Sequence, residues 1–418
     1  MEKDNGVQNQ TSAGNGPDGP KKFTGYQWKT LWASTIGYAM DGLDMMILAY
    51  TLPLIMAYYG LNQVEGGSLS TITLLGSVLG GILFGILADK YGRVRVFTWT
   101  ILIFSVFTGL CAFAPNEQTF AFFRFMAGLG LGGEFGIGMT LVSEAWPKKY
   151  RSRATSIVAT GFQFGIILAT LATLFIAPKF GWQGVFLAGV LPAILAFWSR
   201  RNLEEPEIWK QLKDENKNKI ALGHLFSSFK KTKVTIGLTI ATSVQNFGFY
   251  GIMTWMPTML AVEMGYSFNS TTVWTVVTIA GMLVGILIFG IMADKIGRKP
   301  SYLIFLFAAA AMIWIYFQQT STTMLIVLGG LLGFFVNGMM GGYGALLAEH
   351  YETEARSTAE NVIFNVGRGI AGFAPLIIGY ISLNYSLSYA LGLLSFIYVL
   401  SALSFIFLIP ETKGVELH

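Results

Sequence analysis

One nine-residue phrase occurs twice in this chain. GILADKYGR runs from Gly85 to Arg93 and GIMADKIGR from Gly290 to Arg298, with the two aspartates 205 residues apart. The same offset carries Glu144 onto Glu349 and Arg151 onto Arg356, so a half-chain has been duplicated with its charged loops intact. That restricts the fold to two halves built alike. Composition places both in a membrane: 53% of the residues are hydrophobic, only 12% are charged and the mean hydropathy is +0.56, too little polar surface to cover a water-soluble domain.

Hydropathy resolves into about twelve apolar runs, starting near Thr30, Leu69, Phe97, Thr119, Ala154, Gln183, Val234, Thr271, Ser301, Met324, Thr358 and Ser386, each roughly 18 to 27 residues long. As helices these lengths span a hydrocarbon core of ~30 Å. Lipid offers the backbone no hydrogen-bond partner, and the runs lack the two-residue alternation of a barrel strand. The sequence therefore predicts an all-α membrane protein with twelve transmembrane helices in two pseudo-symmetric six-helix halves, 26–199 and 233–408. A charged linker, 200–232, joins them. Residues 1–25, rich in Asn, Gly, Gln and Asp, read as a disordered tail rather than a cleavable signal, and 409–418 as a second tail.

Lys90, Arg93, Arg95, Lys148, Lys149, Arg151, Arg153, Arg200, Arg201, Lys295, Arg298, Lys299 and Arg356 fall in alternate loops, whereas the other set holds only Lys179. By the positive-inside rule the basic loops and both termini face the cytoplasm of a cell membrane. The net charge of +5 is thus a topology signal compatible with contact to anionic lipid, and not a nucleic-acid footprint. Cys111 is the single cysteine, and His224, His350 and His418 are scattered, so neither a disulfide nor a metal site is expected. Nothing suggests a cofactor, and with no nucleophile–base arrangement the chain does not read as an enzyme.

Ionisable groups at membrane depth mark function, because an isolated charge there is costly. Five stand out: Asp41, Asp44, Arg124, Glu134 and Arg368. At ~1.5 Å per residue from the cytoplasmic helix ends, Asp41, Glu134 and Arg368 fall in one layer near the bilayer centre, with Gln163 and Asn246 close to it. Gln245, Asn246 and Gln163 can hydrogen-bond a polar ligand. Asn337, Asn365 and Tyr250 are further lining candidates in a site between the halves. The repeat offset maps Asp41 onto Asn246 and Gln163 onto Arg368, so acid lies in the first half and its cationic counterpart in the second. This predicts a division of labour: the first half handles protons, and Arg368 offers a planar fork to a substrate carboxylate. A structural ion pair of Arg368 with Asp41 or Glu134 is the competing reading. Gly128, Gly130, Gly132 and Gly133 are read as a close-packing stripe and not a phosphate loop, since no strand precedes them.

The doubled loop phrase, RFMAGLGLGGE, the pairs Glu144/Arg151 and Glu349/Arg356, and PETKG at Pro410 to Gly414 resemble the major facilitator superfamily over nearly the whole chain. DGLD in the first helix, GGE in the fourth and FYGIMTWMP in the seventh look like its bacterial proton symporters for organic acids. LEEPEIW at the end of the sixth departs from the sugar-porter pattern. The resemblance implies that Asp89 and Asp294 accept backbone amides of facing helices. It also implies that Arg93, Arg298, Arg151 and Arg356 pair with Glu144 and Glu349, forming a cytoplasmic gate that breaks on opening. Asp44 and Arg124 are, by similarity to sugar porters, a proton-coupling pair, with Asp41 as rival and Glu134 nearby. The function so implied is import of a small organic anion with protons, by alternating access, in a monomer. The alternatives are a neutral sugar or polyol porter, or a nutrient receptor that moves nothing.

Overall fold

The computed structural model describes residues 23–201, 203–211, 221–265 and 268–417. Most of the expected tail 1–25 and the linker stretch 212–220 therefore lie outside the described residues. Helices follow from long apolar runs closed by local caps. The Thr24 hydroxyl accepts from the Gln27 amide while the Gln27 side chain returns a bond to Thr24, opening α1 (Gly25–Tyr59). Asn116 caps α4 (Glu117–Ala145) by accepting from the Thr119 amide, and Ser228 caps α7 (Phe229–Val262) by accepting from the Lys231 amide. Between these lie α2 (Gln63–Tyr91), α3 (Arg93–Cys111) and the stretch Arg151–Arg200. Gly181, at φ 63°, breaks that stretch into α5 (151–180) and α6 (182–200).

The second half repeats the order. It comprises α8 (Phe268–Ile296), α9 (Arg298–Tyr316), and α10 (Thr322–Gly338, a 3₁₀ turn Met339–Gly342, then Tyr343–Ala348). It ends with α11 (Arg356–Ala371 and Ala374–Ser382) and α12 (Leu387–Gly392 and Leu394–Phe407). No strand occurs among the described residues. Ten helices among them are long and apolar enough to cross a membrane, with α6 counted together with α5. Their outward faces are apolar, as Phe175, Phe373 and Leu376 show, while charge is turned inward. The fold is the all-α, twelve-helix membrane architecture that the sequence predicts.

Glycine sets how close the helices come. A Cβ on Gly80 of α2 would stand 1.9 Å from the Leu129 carbonyl of α4, and one on Gly132 of α4 2.1 Å from the Ser77 carbonyl. The duplicate of the Gly80 contact, Gly285 of α8 against the Phe334 carbonyl of α10, stands at 2.3 Å, and one turn away Gly281 meets the Gly330 carbonyl at 1.9 Å. The halves meet along α2 with α11 and along α5 with α8. The duplication extends further than the sequence motifs suggest. Glu411 of PETKG accepts from the Arg298 and Lys299 amides at the start of α9, and Glu205 of LEEPEIW accepts from the Val94 and Arg95 amides at the start of α3. Residues 409–417 are therefore part of the fold and not a loose tail. Arg151 also donates to the Val415 carbonyl.

Candidate functional site

At mid-depth α1, α5, α7, α10 and α11 enclose a cavity of about 20 Å³, room for one water. Tyr38, Phe162, Phe249 and Phe364 form its aromatic walls, and Gln163, Gln245, Asn246, Asn337, Tyr250 and Arg368 its polar ones. Arg368 is the cation of that lining. Its two terminal nitrogens donate to the two Asp41 oxygens at 2.9 and 3.0 Å, and Nε donates to the Tyr250 hydroxyl at 3.1 Å. Asp41 is wholly buried, so this parallel fork is what makes its charge tolerable. The amides are only half satisfied. Gln245 donates to Asn337 at 3.1 Å and Asn246 to the Thr242 carbonyl, while Gln163 Oε1 and Gln245 Oε1 have no hydrogen-bond partner.

One turn further along α1, Asp44 receives two bonds from Arg124 at 3.0 and 2.7 Å and one from Thr108 at 2.6 Å. Arg124 also donates to Thr73 and lies against the Phe186 ring. This pair is separate from the cavity lining and belongs wholly to the first half.

Two residues expected at the cavity are elsewhere. Glu134 sits at the right height but is turned away, towards α3 and α6, where it accepts from Thr100 at 2.7 Å and pairs with Arg200 at 2.6 Å. Arg200 packs flat on the Phe97 ring and donates to the Phe97 carbonyl. Room for the pair comes from Gly37, where a Cβ would stand 2.2 Å from Arg200 Nη2. Arg200 is thus a buried partner and not a loop charge. Asn365 is likewise off the cavity. It donates to the Gly132 carbonyl at 2.8 Å and accepts from Ser77 at 3.1 Å, tying α11 to α2 and α4.

At the end of the bundle that holds the basic loops, four carboxylates bind the halves together. Asp89 accepts from the Ser357 and Thr358 amides at 3.1 and 2.8 Å, and Asp294 from the Ser152 and Arg153 amides, both at 3.1 Å. Each aspartate therefore sits on the N-terminus of a helix of the opposite half. Glu144 joins Arg93 of its own half, at 3.2 Å, to Arg356 of the other, at 2.6 Å. Glu349 in the same manner joins Arg298 to Arg151, both at 2.8 Å. Among the described residues His224 has the carboxylates of Glu352 and Glu354 beside it, at 3.8 and 3.3 Å, and Lys231 pairs with Glu352 at 3.1 Å.

The sequence profile of the Major Facilitator Superfamily matches residues 34–287 and 260–417. A protein of Haemophilus influenzae described as a putative metabolite transport protein is 50% identical over 95% of this chain and 99% of its own length. The cis,cis-muconate transport protein of Acinetobacter baylyi is 31% identical over 87% of this chain and 89% of its own. Among solved structures, the proton:xylose symporter XylE bound to 6-bromo-6-deoxy-D-glucose superposes with a TM-score of 0.79. It covers 94% of this chain and 98% of its own at 18% identity, which speaks for the fold alone.

Proposed function

The chain belongs to the major facilitator superfamily, a family of transporters and not enzymes, and we propose that it imports a small organic anion, a carboxylate, together with protons. The observation that carries this reading is the Asp41–Arg368 fork at the cavity wall, one partner from each half. A substrate carboxylate offers Arg368 the same two-oxygen geometry that Asp41 supplies. When the substrate takes the fork, Asp41 is left buried without its cation, and it must bind a proton or leave an unpaired charge in a dry site. Anion binding and proton uptake are then one event. One proton with one carboxylate moves no net charge and draws on the pH gradient; a second proton makes the movement electrogenic and adds the membrane potential. That a 31% identical relative is a muconate transporter supports a carboxylate cargo.

In this reading Asp44 and Arg124 form a second proton-responsive pair, and the cross-half contacts of the four carboxylates at the basic end are the cytoplasmic gate. They hold that side shut until the halves rock apart around the central site. The protein acts as a monomer in the cell membrane with both termini in the cytoplasm. The buried amides around the cavity also favour hydroxyl groups on the cargo, which a neutral sugar or polyol would supply. Arg368 separates the readings, since a neutral sugar has no use for a fixed guanidinium. A thermal-shift screen of the purified protein against carboxylates and their matched amides decides between them. Stabilisation by an acid and not by its amide supports the proposal, and stabilisation by neutral polyols alone contradicts it.

A further inference from the structure

Four residues on one face of α11 stand at four-residue steps, Arg356, Glu360, Phe364 and Arg368, each about 6 Å along the axis from the next. Three have evident counterparts in the first half. Arg356 pairs with Glu144 of α4 at 2.6 Å, Phe364 stacks on Phe135 of α4 with ring centroids 3.6 Å apart, and Arg368 is held by Asp41 of α1. Glu360, between the ion pair and the ring stack, is different: it is 0% exposed and neither of its carboxyl oxygens has a hydrogen-bond partner.

Its surroundings offset this only in part: Arg356 and the Thr140 hydroxyl favour a charge there, while burial and two neighbouring acids oppose it. From α4 come Thr140, whose hydroxyl lies by the carboxyl without reaching full hydrogen-bond geometry, and Glu144; from α2 comes Asp89; on α11 itself is Arg356, already bonded to Glu144. Arg93, the other guanidinium of the cluster, is committed to Glu144 and the Thr353 carbonyl. An ionised carboxylate stripped of water and donors costs several kcal/mol, and two neighbouring acids add to that, so the uncharged carboxyl is the form this place tolerates. The placement also states when the environment changes. Glu360 and Arg356 belong to the second half, Thr140, Glu144 and Asp89 to the first, and only the cross-half contacts keep them together.

We infer that Glu360 is a proton-carrying residue of the transport cycle, protonated while the basic end is closed and releasing its proton to the cytoplasm when α4 and α11 part. This rests on the proton-coupled reading above. In the step, the carboxyl O–H bond breaks, the proton passes to water entering between the halves, and the carboxylate that remains pairs with Arg356, freed from Glu144 one turn away. Glu360 lies about 12 Å along α11 from Arg368, between the Asp41 site and the basic end, where a proton leaving Asp41 for the cytoplasm has to pass.

Infrared spectroscopy of the purified full-length protein at neutral pH tests this without a known substrate. The expected result is a protonated-carboxyl stretch present in the native protein and in D41N, absent from E360Q, and made sensitive to external pH by D89N, which removes a cross-half contact. Identical native and E360Q spectra in that region overturn the inference. Should E360Q fail to fold, E360M serves in its place. A melting temperature at or above the native value supports an uncharged native side chain, and a clear fall contradicts it. Uptake by native proteoliposomes under an imposed pH gradient separates the two levels. Indifference to the gradient removes proton coupling altogether, whereas coupled uptake with no band lost in E360Q removes Glu360 alone.

Discussion

Arg368 of α11 holds both carboxylate oxygens of Asp41 on α1, at 2.9 and 3.0 Å, and so ties the two halves together at the cavity wall. Removing one member of a buried pair strands the other, whereas removing both does not. R368Q is therefore expected to lose about 3–5 kcal/mol of stability, and D41N/R368Q to recover much of it. Melting temperatures of the single and double variants check this, and additive losses contradict it. R368K keeps the charge but not the fork, and is expected to weaken carboxylate binding about 10- to 100-fold, as loss of a charge-assisted hydrogen bond does.

Asp44 and Arg124 form a second fork, at 3.0 and 2.7 Å, away from the cavity lining. D44N is expected to abolish accumulation of substrate against its gradient while sparing exchange across the membrane. Counterflow and pH-driven uptake measured on the same vesicles distinguish the two, and equal loss of both places Asp44 in substrate binding instead.

Asp89 accepts two backbone amides from the opposite half. Hydrogen bonds to a charged group contribute about 1.5–3 kcal/mol each, so D89N should move the closed–open balance by tenfold or more. Because Cys111 is the single cysteine, C111S gives a background for reporter cysteines at either end. D89N is expected to raise labelling at the basic end and lower it at the other. Unchanged labelling at both ends sinks the gate assignment.

The Glu134–Arg200 pair is buried at 2.6 Å and does not line the cavity. E134Q/R200Q should fold and retain proton-driven uptake within a few-fold, while R200Q alone is destabilised by about 3–5 kcal/mol. Loss of pH dependence in the double variant returns Glu134 to the coupling machinery.

His350 lies beyond α10, with Nδ1 2.7 Å from the Leu346 carbonyl oxygen. Burial pushes its pKa below the ordinary 6.5, against the opposing pull of that carbonyl and of Glu349. A depressed histidine favours folding fully above the unfolded value, and the contribution fades as pH falls from about 6.5 towards the folded value. The native melting temperature should therefore drop more on acidification than that of H350Q, and parallel curves refute the assignment.

The duplicated loops made the fold and its symmetry legible, because seven matches in nine residues survive only where both halves keep the same charged turn. Depth was legible too: Asp41 and Arg368 were placed in one layer from helix rise, and they do meet. What the rise per residue does not give is azimuth. Glu134 has the right height but the wrong bearing, facing Arg200, and Asn365 faces α2 and α4. Arg200 was hidden by its neighbour Arg201, since two arginines at a helix end look like a loop when one of them turns inward. The unanswered charge on Glu134 was the signal that a cation had to be found. Glu360 was missed because it lies two residues past Thr358, close to the chain's basic loops, and the packing of α2 and α4 over α11 buries it.

Most direct of all is uptake into liposomes under an imposed inward proton gradient, measured for a carboxylate and its amide with native and R368Q protein. The account predicts that the native protein accumulates the acid in proportion to the gradient, ignores the amide, and loses the preference with R368Q. Equal uptake of acid and amide by the native protein, unaffected by R368Q, contradicts it.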